Sequence, residues 1–422
     1  MHTGISDRRR AQLAEQVDRT VHETPVFDIH THLYDPAFGP LLLYGIDDLL
    51  TYHYLVAEVF RYSSLPYADF WRLPKKEQAD HIWEHLFVRH SPISEACRGV
   101  LTTLQSFGLE VGPRELPRIR QWYAEQTPEA FVNLCFETAN LRQVCMTNSP
   151  FDPLERPLWE KGFTRDERFV GGLRIDPVLL DWPNVVPQLQ DDDDAIQSEL
   201  NQETFDGIRR FLEKWTQILK AHYLMVSLPP SFQYPDKGPI TQILDHAVLP
   251  HCREHHLPLA LMIGVKRAVN PALQLAGDGM GRSDLQALES LCQAHPSNSF
   301  LCTVLARENQ HELCVIARKF PNLHVFGCWW FTNIPELINE MTRLRLELLG
   351  LSVTPQHSDA RVLDQVIYKW RHSRQIIASV LTEKYVDLEG TGWTVSQEEI
   401  QRDVQSLLGG EFERFCNQTG FP

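Results

Sequence analysis

From residue 139 onward, short apolar runs alternate with amphipathic stretches of helical spacing, and this alternation restricts the fold more than any other feature. Parallel strands need a long crossover between them, so a strand followed by a helix is the repeating unit of a parallel sheet. We interpret the following as strands: residues 26–30, 141–150, 169–177, 222–230, 258–264, 300–305, 324–330 and 351–359. Eight such units predict an α/β protein with a (β/α)8 barrel of the TIM type.

Long segments outside this alternation divide the chain. Residues 1–24 are charged and helix-prone, which predicts an N-terminal helical arm. Residues 46–138 carry apolar residues at helical spacing and predict a helical insertion after the first strand. The barrel is then expected to comprise residues 25–45 and 139–384, and a C-terminal helical tail follows over residues 385–422.

Charge and cysteine content restrict the partners and the compartment. The net charge is -15, which argues against a nucleic-acid partner, since phosphate contacts need clustered Lys and Arg. The nine cysteines are scattered and form no CxxC pair, which favours a reducing compartment. The N-terminus has no apolar signal core and no window predicts a membrane span. We expect a cytoplasmic protein without a membrane partner, and barrels of this size often form homo-oligomers.

Polar side chains stand where the presumed strands end. In a (β/α)8 barrel the chemistry lies at the C-terminal ends of the strands, so such residues are candidates for a site. These strand-end residues are His30, His32, Arg174, Asp176, Trp329, Trp330, His357, Asp359 and Arg361. All would fall on one face of the barrel.

The pair of histidines on the first strand predicts a metal site. Side chains two apart on a strand point the same way, so His30 and His32 would face one side together. The first and eighth strands become neighbours when the barrel closes, which brings Asp359 to the same place. Two neutral imidazoles and a carboxylate are common ligands of Zn²⁺ and similar divalent ions. The alternative is two exposed histidines on a turn, but their place opposite Asp359 favours ligands.

Five segments in order resemble the uronate (glucuronate) isomerases of the amidohydrolase superfamily. They are FDIHTHL (27–33), TYHYL (51–55), GLRIDP (172–177), GCWWFTN (327–333) and SDAR (358–361). The resemblance extends from the first strand to the helix after the eighth. It implies the barrel fold and a bound divalent metal, with Zn²⁺ the expected ion.

The resemblance also implies a reaction: metal-assisted aldose–ketose isomerisation of a hexuronate through an enediol. The substrate would be a small sugar acid, either D-glucuronate, giving D-fructuronate, or D-galacturonate, giving D-tagaturonate. Arg174 and Arg361 are expected to bind its carboxylate, because a guanidinium meets a carboxylate with two parallel hydrogen bonds. His53 would assist them. Without the resemblance, a structural ion pair is an equal explanation for Arg174.

The remaining roles concern proton transfer and the pocket wall. Tyr54 and Asp359 are the candidate catalytic residues, although a Tyr in a helical pattern is commonly a packing residue. Trp329 and Trp330 are expected to bind the sugar through their aromatic faces. Adjacent residues of a strand face opposite sides, so we expect one of the two to line the pocket.

Some positions depart from the family pattern and indicate a divergent member. Met262 stands where the family usually has a His on the fifth strand, and residues 267–270 read RAVN instead of beginning RNN. Two alternatives therefore stay open. One is a protein that binds or acts on another sugar acid. The other is a metal-dependent hydrolase, which is disfavoured because the fifth and sixth strands offer no His.

Overall fold

Eight parallel strands form the centre of the protein, and each pairs with its neighbour in the sequence. The structure is a computed structural model and describes residues 5–418. The strands are β1 (Val26–Thr31), β2 (Leu141–Asn148), β3 (Phe169–Arg174), β4 (Ala221–Leu228), β5 (Leu259–Ile263), β6 (Phe300–Val304), β7 (Leu323–Phe326) and β8 (Val353–Thr354). The predicted arm and tail also include residues 1–4 and 419–422, which lie outside the described residues.

The two ends of the sheet meet beyond the last strand. The His32 amide donates to the Ala360 carbonyl oxygen at 2.7 Å, and the Asp359 amide donates to the His30 carbonyl oxygen at 3.2 Å. The chain after β8 thus lies against β1 and closes the ring. The predicted (β/α)8 barrel is confirmed.

The eighth strand is shorter than the sequence indicated. We expected strand structure over residues 351–359, but only Val353–Thr354 are paired as a strand. Asp359 has φ 55°, a left-handed conformation that cannot continue a strand. This bend turns the carboxylate of Asp359 out of the strand direction at the top of the barrel.

An apolar cluster fills the barrel interior. Strands β5 and β6 are buried along their whole length, as expected for parallel strands covered on both faces. The cluster includes Phe27 on β1 and Met262 on β5. Phe412, from the C-terminal helices, closes the N-terminal end of the barrel, and its ring centre lies 5.6 Å from that of Phe27. The core therefore leaves only the C-terminal end of the strands open for a site.

Helices surround the sheet. Those of the insertion are Ile46–Leu50, His53–Val59, Tyr67–Arg72, Lys75–Trp83, Glu95–Ser106, Leu116–Ala124 and Pro128–Ala139. Those between and after the later strands are Arg156–Lys161, Asp176–Leu180, Trp182–Gln190, Gln202–Leu219, Pro239–Ile243, Leu249–Glu254, Gln286–Ala294, Gln310–Ala317, Pro335–Leu349 and Gln365–Gly390. Asp7–Glu23 precedes the barrel, and Gln397–Gln405 and Glu411–Cys416 end the described chain. Within residues 5–418, no helix is both long enough and apolar enough to cross a membrane.

The helix Gln365–Gly390 ties the outer parts of the molecule to the barrel. It packs against the N-terminal helix Asp7–Glu23 and against Glu95–Ser106 of the insertion. The boundary that we predicted between barrel and tail, after residue 384, falls inside this helix. The division of the chain into arm, barrel, insertion and tail stays a prediction.

Two segments reach over the open end of the barrel. The first is the start of the insertion, where one helix ends at Leu50 and a new one begins at His53. The second we call the strap, residues 265–280. Its ends pair as an antiparallel ribbon, and the indole of Trp71 donates to the Ala272 carbonyl oxygen at 2.9 Å, which fixes the strap to the insertion.

Candidate active site

The predicted metal ligands lie together at the top of β1 and β8. The ligand atoms of His30, His32 and Asp359 all lie within 4.8 Å of one another. The Asp359 Oδ1 is 3.6 Å from the His30 Nε2 and 3.4 Å from the His32 Nε2. Both distances are longer than a good hydrogen bond and close to the separation of two ligands on a tetrahedral ion, about 3.3 Å for bonds of about 2.0 Å.

Hydrogen bonds at the other ring nitrogens determine which nitrogen of each imidazole faces the carboxylate. The Tyr223 hydroxyl donates to the Ile29 carbonyl oxygen at 2.8 Å, so it accepts from the His30 Nδ1 at 3.3 Å. The Thr147 hydroxyl likewise donates to the backbone carbonyl oxygen of the residue between the two histidines at 2.9 Å and accepts from the His32 Nδ1 at 3.1 Å. Both protons are thereby placed on Nδ1.

The three residues fit a divalent ion. Burial lowers the pKa of His32 to about 4, so its imidazole is neutral near neutral pH. With Tyr223 and Thr147 bound to the Nδ1 atoms, both Nε2 atoms face the Asp359 Oδ1, a buried oxygen with no hydrogen-bond partner among the described residues. Two imidazole nitrogens and a carboxylate oxygen directed at one point form an N₂O donor set, which is typical of Zn²⁺. These three residues therefore form a candidate site for a divalent metal.

The two predicted arginines differ in their partners. Arg174 makes a two-point ion pair with Asp176, with its Nε 3.0 Å and its Nη2 2.9 Å from the carboxylate oxygens. The Arg361 guanidinium has no hydrogen bond or ion pair with any other described residue, although its backbone amide is bound by the side chain of Gln365. A guanidinium without a counter-ion beside a cavity is suited to receive an anion.

Two further polar groups beside the cavity lack partners. The His53 Nε2 and the Trp330 Nε1 are buried and have no hydrogen-bond partner within residues 5–418. Burial and the charge of Arg361 lower the pKa of His53 to about 3, so this imidazole is neutral. Buried polar atoms without partners are costly, which indicates that a ligand completes these hydrogen bonds.

Tyr54 lies behind the cavity wall. The ring centres of Tyr54 and His53 are 4.4 Å apart, and Tyr52 and His53, but not Tyr54, line the cavity. Burial raises the pKa of Tyr54 well above its usual value, so the phenol is neutral. The Lys369 Nζ is 5.6 Å from its ring centre but forms an ion pair with Glu95 at 3.0 Å.

Both tryptophans line the cavity, although the alternation of a strand led us to expect one. The reason is that β7 ends at Phe326, before the pair. Trp330 begins a 3₁₀ turn, Trp330–Thr332, with φ 48°, so the two side chains are no longer on opposite faces of a strand. Their ring centres are 6.2 Å apart.

Sequence reasoning missed five residues of the cavity wall. They are Tyr52, Ser227, Arg267, Leu275 and Asp278. Ser227 near the end of β4 was available as a polar strand-end residue, and Arg267 was noted only as part of the RAVN segment. The approach of Leu275 and Asp278 depends on the path of the strap, for which the sequence gives no signal.

Met262 is not part of the cavity wall. Its side chain is fully buried within the apolar cluster inside the barrel. The position where the family usually has a His is therefore a packing position in this chain.

His357 packs behind His30. Its ring centre lies 5.0 Å from that of His30, and neither of its ring nitrogens has a partner in the part of the chain that the structure describes. A Cβ at residue 327 would fall 1.7 Å from the His357 Nδ1, so only glycine fits there. The close packing holds the ring of His30 in place.

The cavity adjoins two wider chambers. It has a volume of about 70 Å³. A chamber of about 570 Å³ lies on the side of β2 and β3, and another of about 260 Å³ lies under the strap. Arg361 lines all three, so its unpaired charge stands at the point where they meet.

A second group of potential metal ligands lies on the outer helices, away from this cavity. It consists of Glu213, His251 and His255. The His255 Nε2 is 2.6 Å from the Glu213 Oε2, and the His251 Nε2 is 3.1 Å from the Thr216 hydroxyl. Each member already has a protein partner, so hydrogen bonding and an ion pair account for this group.

The chain is similar over its whole length to a solved enzyme. It is 48% identical to a uronate isomerase from Bacillus halodurans C-125, over 99% of this chain and 98% of that one, with a TM-score of 0.96. The chain belongs to the uronate isomerase family. This identity confirms the resemblance that the five sequence segments indicated.

More distant uronate isomerases share the fold. A uronate isomerase from Thermotoga maritima is 15% identical, with a TM-score of 0.78 over 96% of this chain and 97% of that one. A glucuronate isomerase from Caulobacter crescentus is also 15% identical, with a TM-score of 0.78 over 99% of this chain and 96% of that one. No protein-family model matches the sequence, and the comparison with curated proteins finds no match.

Proposed function

We propose that this protein is an aldose–ketose isomerase of hexuronates. It would convert D-glucuronate to D-fructuronate, or D-galacturonate to D-tagaturonate, through an enediol. The observation that carries the proposal is the convergence of unpartnered groups on one cavity: the cation of Arg361, the polar nitrogens of His53 and Trp330, and the Asp359 oxygen. An anionic sugar with several hydroxyls supplies a partner for each of them.

Arg361 is the proposed principal carboxylate ligand. Its guanidinium is free of any counter-ion among the described residues, whereas Arg174 is held by Asp176. Arg174 and Asp176 together carry no net charge, so Arg174 would contribute mainly a fixed hydrogen-bond donor. Arg361 would supply the positive charge that balances the substrate carboxylate. His53 would add one hydrogen bond from a neutral ring.

The proton must leave C2 of the aldose and arrive at C1. The Asp359 carboxylate is the proposed base, because it lines the cavity and keeps a second oxygen, Oδ2, for the proton when Oδ1 holds the metal. Tyr54 is a neutral phenol that lies behind His53, so its proposed role is to donate a proton through that imidazole, and not to remove one from the substrate. Trp329 and Trp330 would exclude water from the enediol, which is needed because an exchanging solvent proton competes with transfer to C1.

His30, His32 and Asp359 are proposed to hold a divalent metal, with Zn²⁺ the expected ion. A metal there would polarise a substrate oxygen and make its hydroxyl more acidic. The chain's own contribution is to keep a proton on each Nδ1, donated to the hydroxyl oxygens of Tyr223 and Thr147, so that the Nε2 lone pairs are available.

Proton NMR in D₂O tests the proposal. The zinc-loaded protein would be mixed with D-glucuronate and, separately, with D-galacturonate, and both the ketose signals and the C2 proton would be followed. Ketose formation identifies the activity and the epimer. Loss of the C2 proton signal without ketose would assign proton removal alone. If a folded, metal-loaded protein gave no ketose and no loss of the C2 proton signal, the proposal would be refuted.

A further inference from the structure

The strap places an ion pair at the mouth of the cavity. Arg267 and Asp278 both line the cavity, and the Arg267 Nη1 lies 2.6 Å from the Asp278 Oδ2. They stand on opposite arms of the ribbon, just beyond the paired residues Lys266 and Gly279. None of the roles described above involves this pair.

The carboxylate of the pair is fixed, whereas the arginine is not. The Asp278 side chain is 7% exposed, and its Oδ1 accepts the Ala268 amide at 2.8 Å. The Arg267 side chain is 55% exposed and has no other ion-pair partner within residues 5–418. The negative group is thus a permanent part of the mouth, and among the described residues Arg267 alone neutralises it.

The cavity requires this neutralisation if its ligand is an anion. Asp176 is already neutralised by Arg174, and Asp359 belongs to the metal ligands. An unpaired Asp278 would add a negative charge on the route of a sugar carboxylate, and its low exposure would leave it weakly screened by solvent. With Arg267 in place the mouth carries no net charge, and Arg361 is the only unpaired cation among the described residues of the wall.

We propose that the Arg267–Asp278 pair sets the charge preference of the site and that Arg267 is a specificity-determining residue. The pair admits a singly charged sugar acid, and without Arg267 the preference of the site for the acid over a neutral sugar of the same shape falls, although Arg361 still binds the carboxylate. The identity of the acid as a hexuronate rests on the proposed function, whereas the charge argument does not depend on it.

A neutral analogue separates charge from shape. D-glucuronate and D-glucuronamide differ at the carboxyl group, so the ratio of their apparent dissociation constants, measured by calorimetry, reports the charge preference. We expect Arg267→Gln to raise the dissociation constant of the acid about tenfold, because one unit charge at about 10 Å in a partly screened site has an effect of this size. The dissociation constant of the amide should change by less than about twofold. For a turned-over uronate, the same change should appear in KM and much less in kcat.

Three further variants identify the cause. Arg267→Lys keeps the charge and should bind the acid about as well as the wild type. Asp278→Asn removes the repelling group and keeps an acceptor for Ala268, so it should tighten binding of the acid. The double variant Arg267→Gln, Asp278→Asn should restore it. Arg209→Gln is the matched control, because Arg209 is paired with Glu254 at 2.7 Å on the outer helices.

The outcomes separate this inference from the proposed reaction. Equal weakening of acid and amide by Arg267→Gln would mean that the pair only shapes the strap, and unchanged binding of both would mean that it has no role; either result overturns the inference. Charge-selective binding without turnover in the NMR experiment would leave the inference standing and remove the proposed reaction. Thermal melting of each variant confirms that it is folded.

Discussion

Replacing Arg361 by Met should remove activity and leave stability almost unchanged. The guanidinium has no hydrogen bond to another described residue, so the folded chain loses little when it is removed. A substrate carboxylate held by two charge-assisted hydrogen bonds would lose about 3–6 kcal/mol, at about 1.5–3 kcal/mol for each bond. At about 1.4 kcal/mol for each factor of ten, kcat/KM should fall about 10²- to 10⁴-fold.

Arg174→Met is the informative contrast. Asp176 has a side-chain exposure of 16%, and without Arg174 its carboxylate keeps only the Ser227 amide, at 3.3 Å. Breaking a buried pair by removing one partner costs about 3–5 kcal/mol of stability. Because this pair is partly exposed, we expect a loss of about 3 kcal/mol or less. Arg174→Met should therefore lower the melting temperature as well as the activity, whereas Arg361→Met should stay within about 2 °C of the wild type.

The assay is ketose formation under steady-state conditions, with thermal melting followed by circular dichroism on the same samples. Arg361→Met with kcat/KM near that of the wild type would refute the carboxylate assignment. A large loss of stability in Arg361→Met would refute a different step, namely the inference that its guanidinium has no structural partner.

Three other predictions follow from buried groups. His30→Asn should empty the metal site in elemental analysis, whereas the control His255→Asn should not; full occupancy of His30→Asn would reject the ligand assignment. Met262→His should cost about 1–3 kcal/mol by burying an imidazole without a partner, and should not increase isomerase activity; a gain would show that this position reaches the substrate. Burial raises the pKa of Glu155 from 4.5 to about 7, so the folded state binds this proton more tightly than the unfolded state. Its contribution to stability is complete below about pH 4.5 and is lost as the pH rises through about 7; the melting temperature should fall over this range, and an equally steep fall in Glu155→Gln would contradict the assignment.

The fold was accessible from the sequence because parallel strands covered on both faces leave continuous apolar runs. The limits of β8 were not accessible. Its residues look like a strand, but the chain must turn at Asp359 to bring a carboxylate to the histidines of β1, and a left-handed bend of a single residue leaves no mark in hydrophobic periodicity. The helix break before His53 could not be predicted for the same reason. It brings the His53 side chain to the cavity, but the apolar residues keep their helical spacing across it.

The residues of the site also differ in how far the sequence predicts their positions. His30 and Arg174 lie on strands and His32 directly follows β1, so the directions of their side chains follow from counting residues, and they lie where the sequence placed them. Arg267 and Asp278 lie on the strap, whose path over the barrel depends on contacts with Trp71 and other distant residues. Loop positions of this kind cannot be found by spacing, although they decide what reaches the cavity.

Asp359 and Trp330 show how the barrel supports its site. Both have positive φ, 55° and 48°, a conformation that costs about 1–3 kcal/mol for residues other than glycine. Each is held by its surroundings: the Asp359 amide donates to the His30 carbonyl oxygen, and the Trp330 carbonyl oxygen accepts the Asn333 amide at 2.9 Å. The seam between the last strand and the first thus bears the strain that aims the carboxylate at the imidazoles. A glycine at residue 359 would relieve this strain and would also remove the proposed base, so stability and the proposed catalysis are opposed at this position.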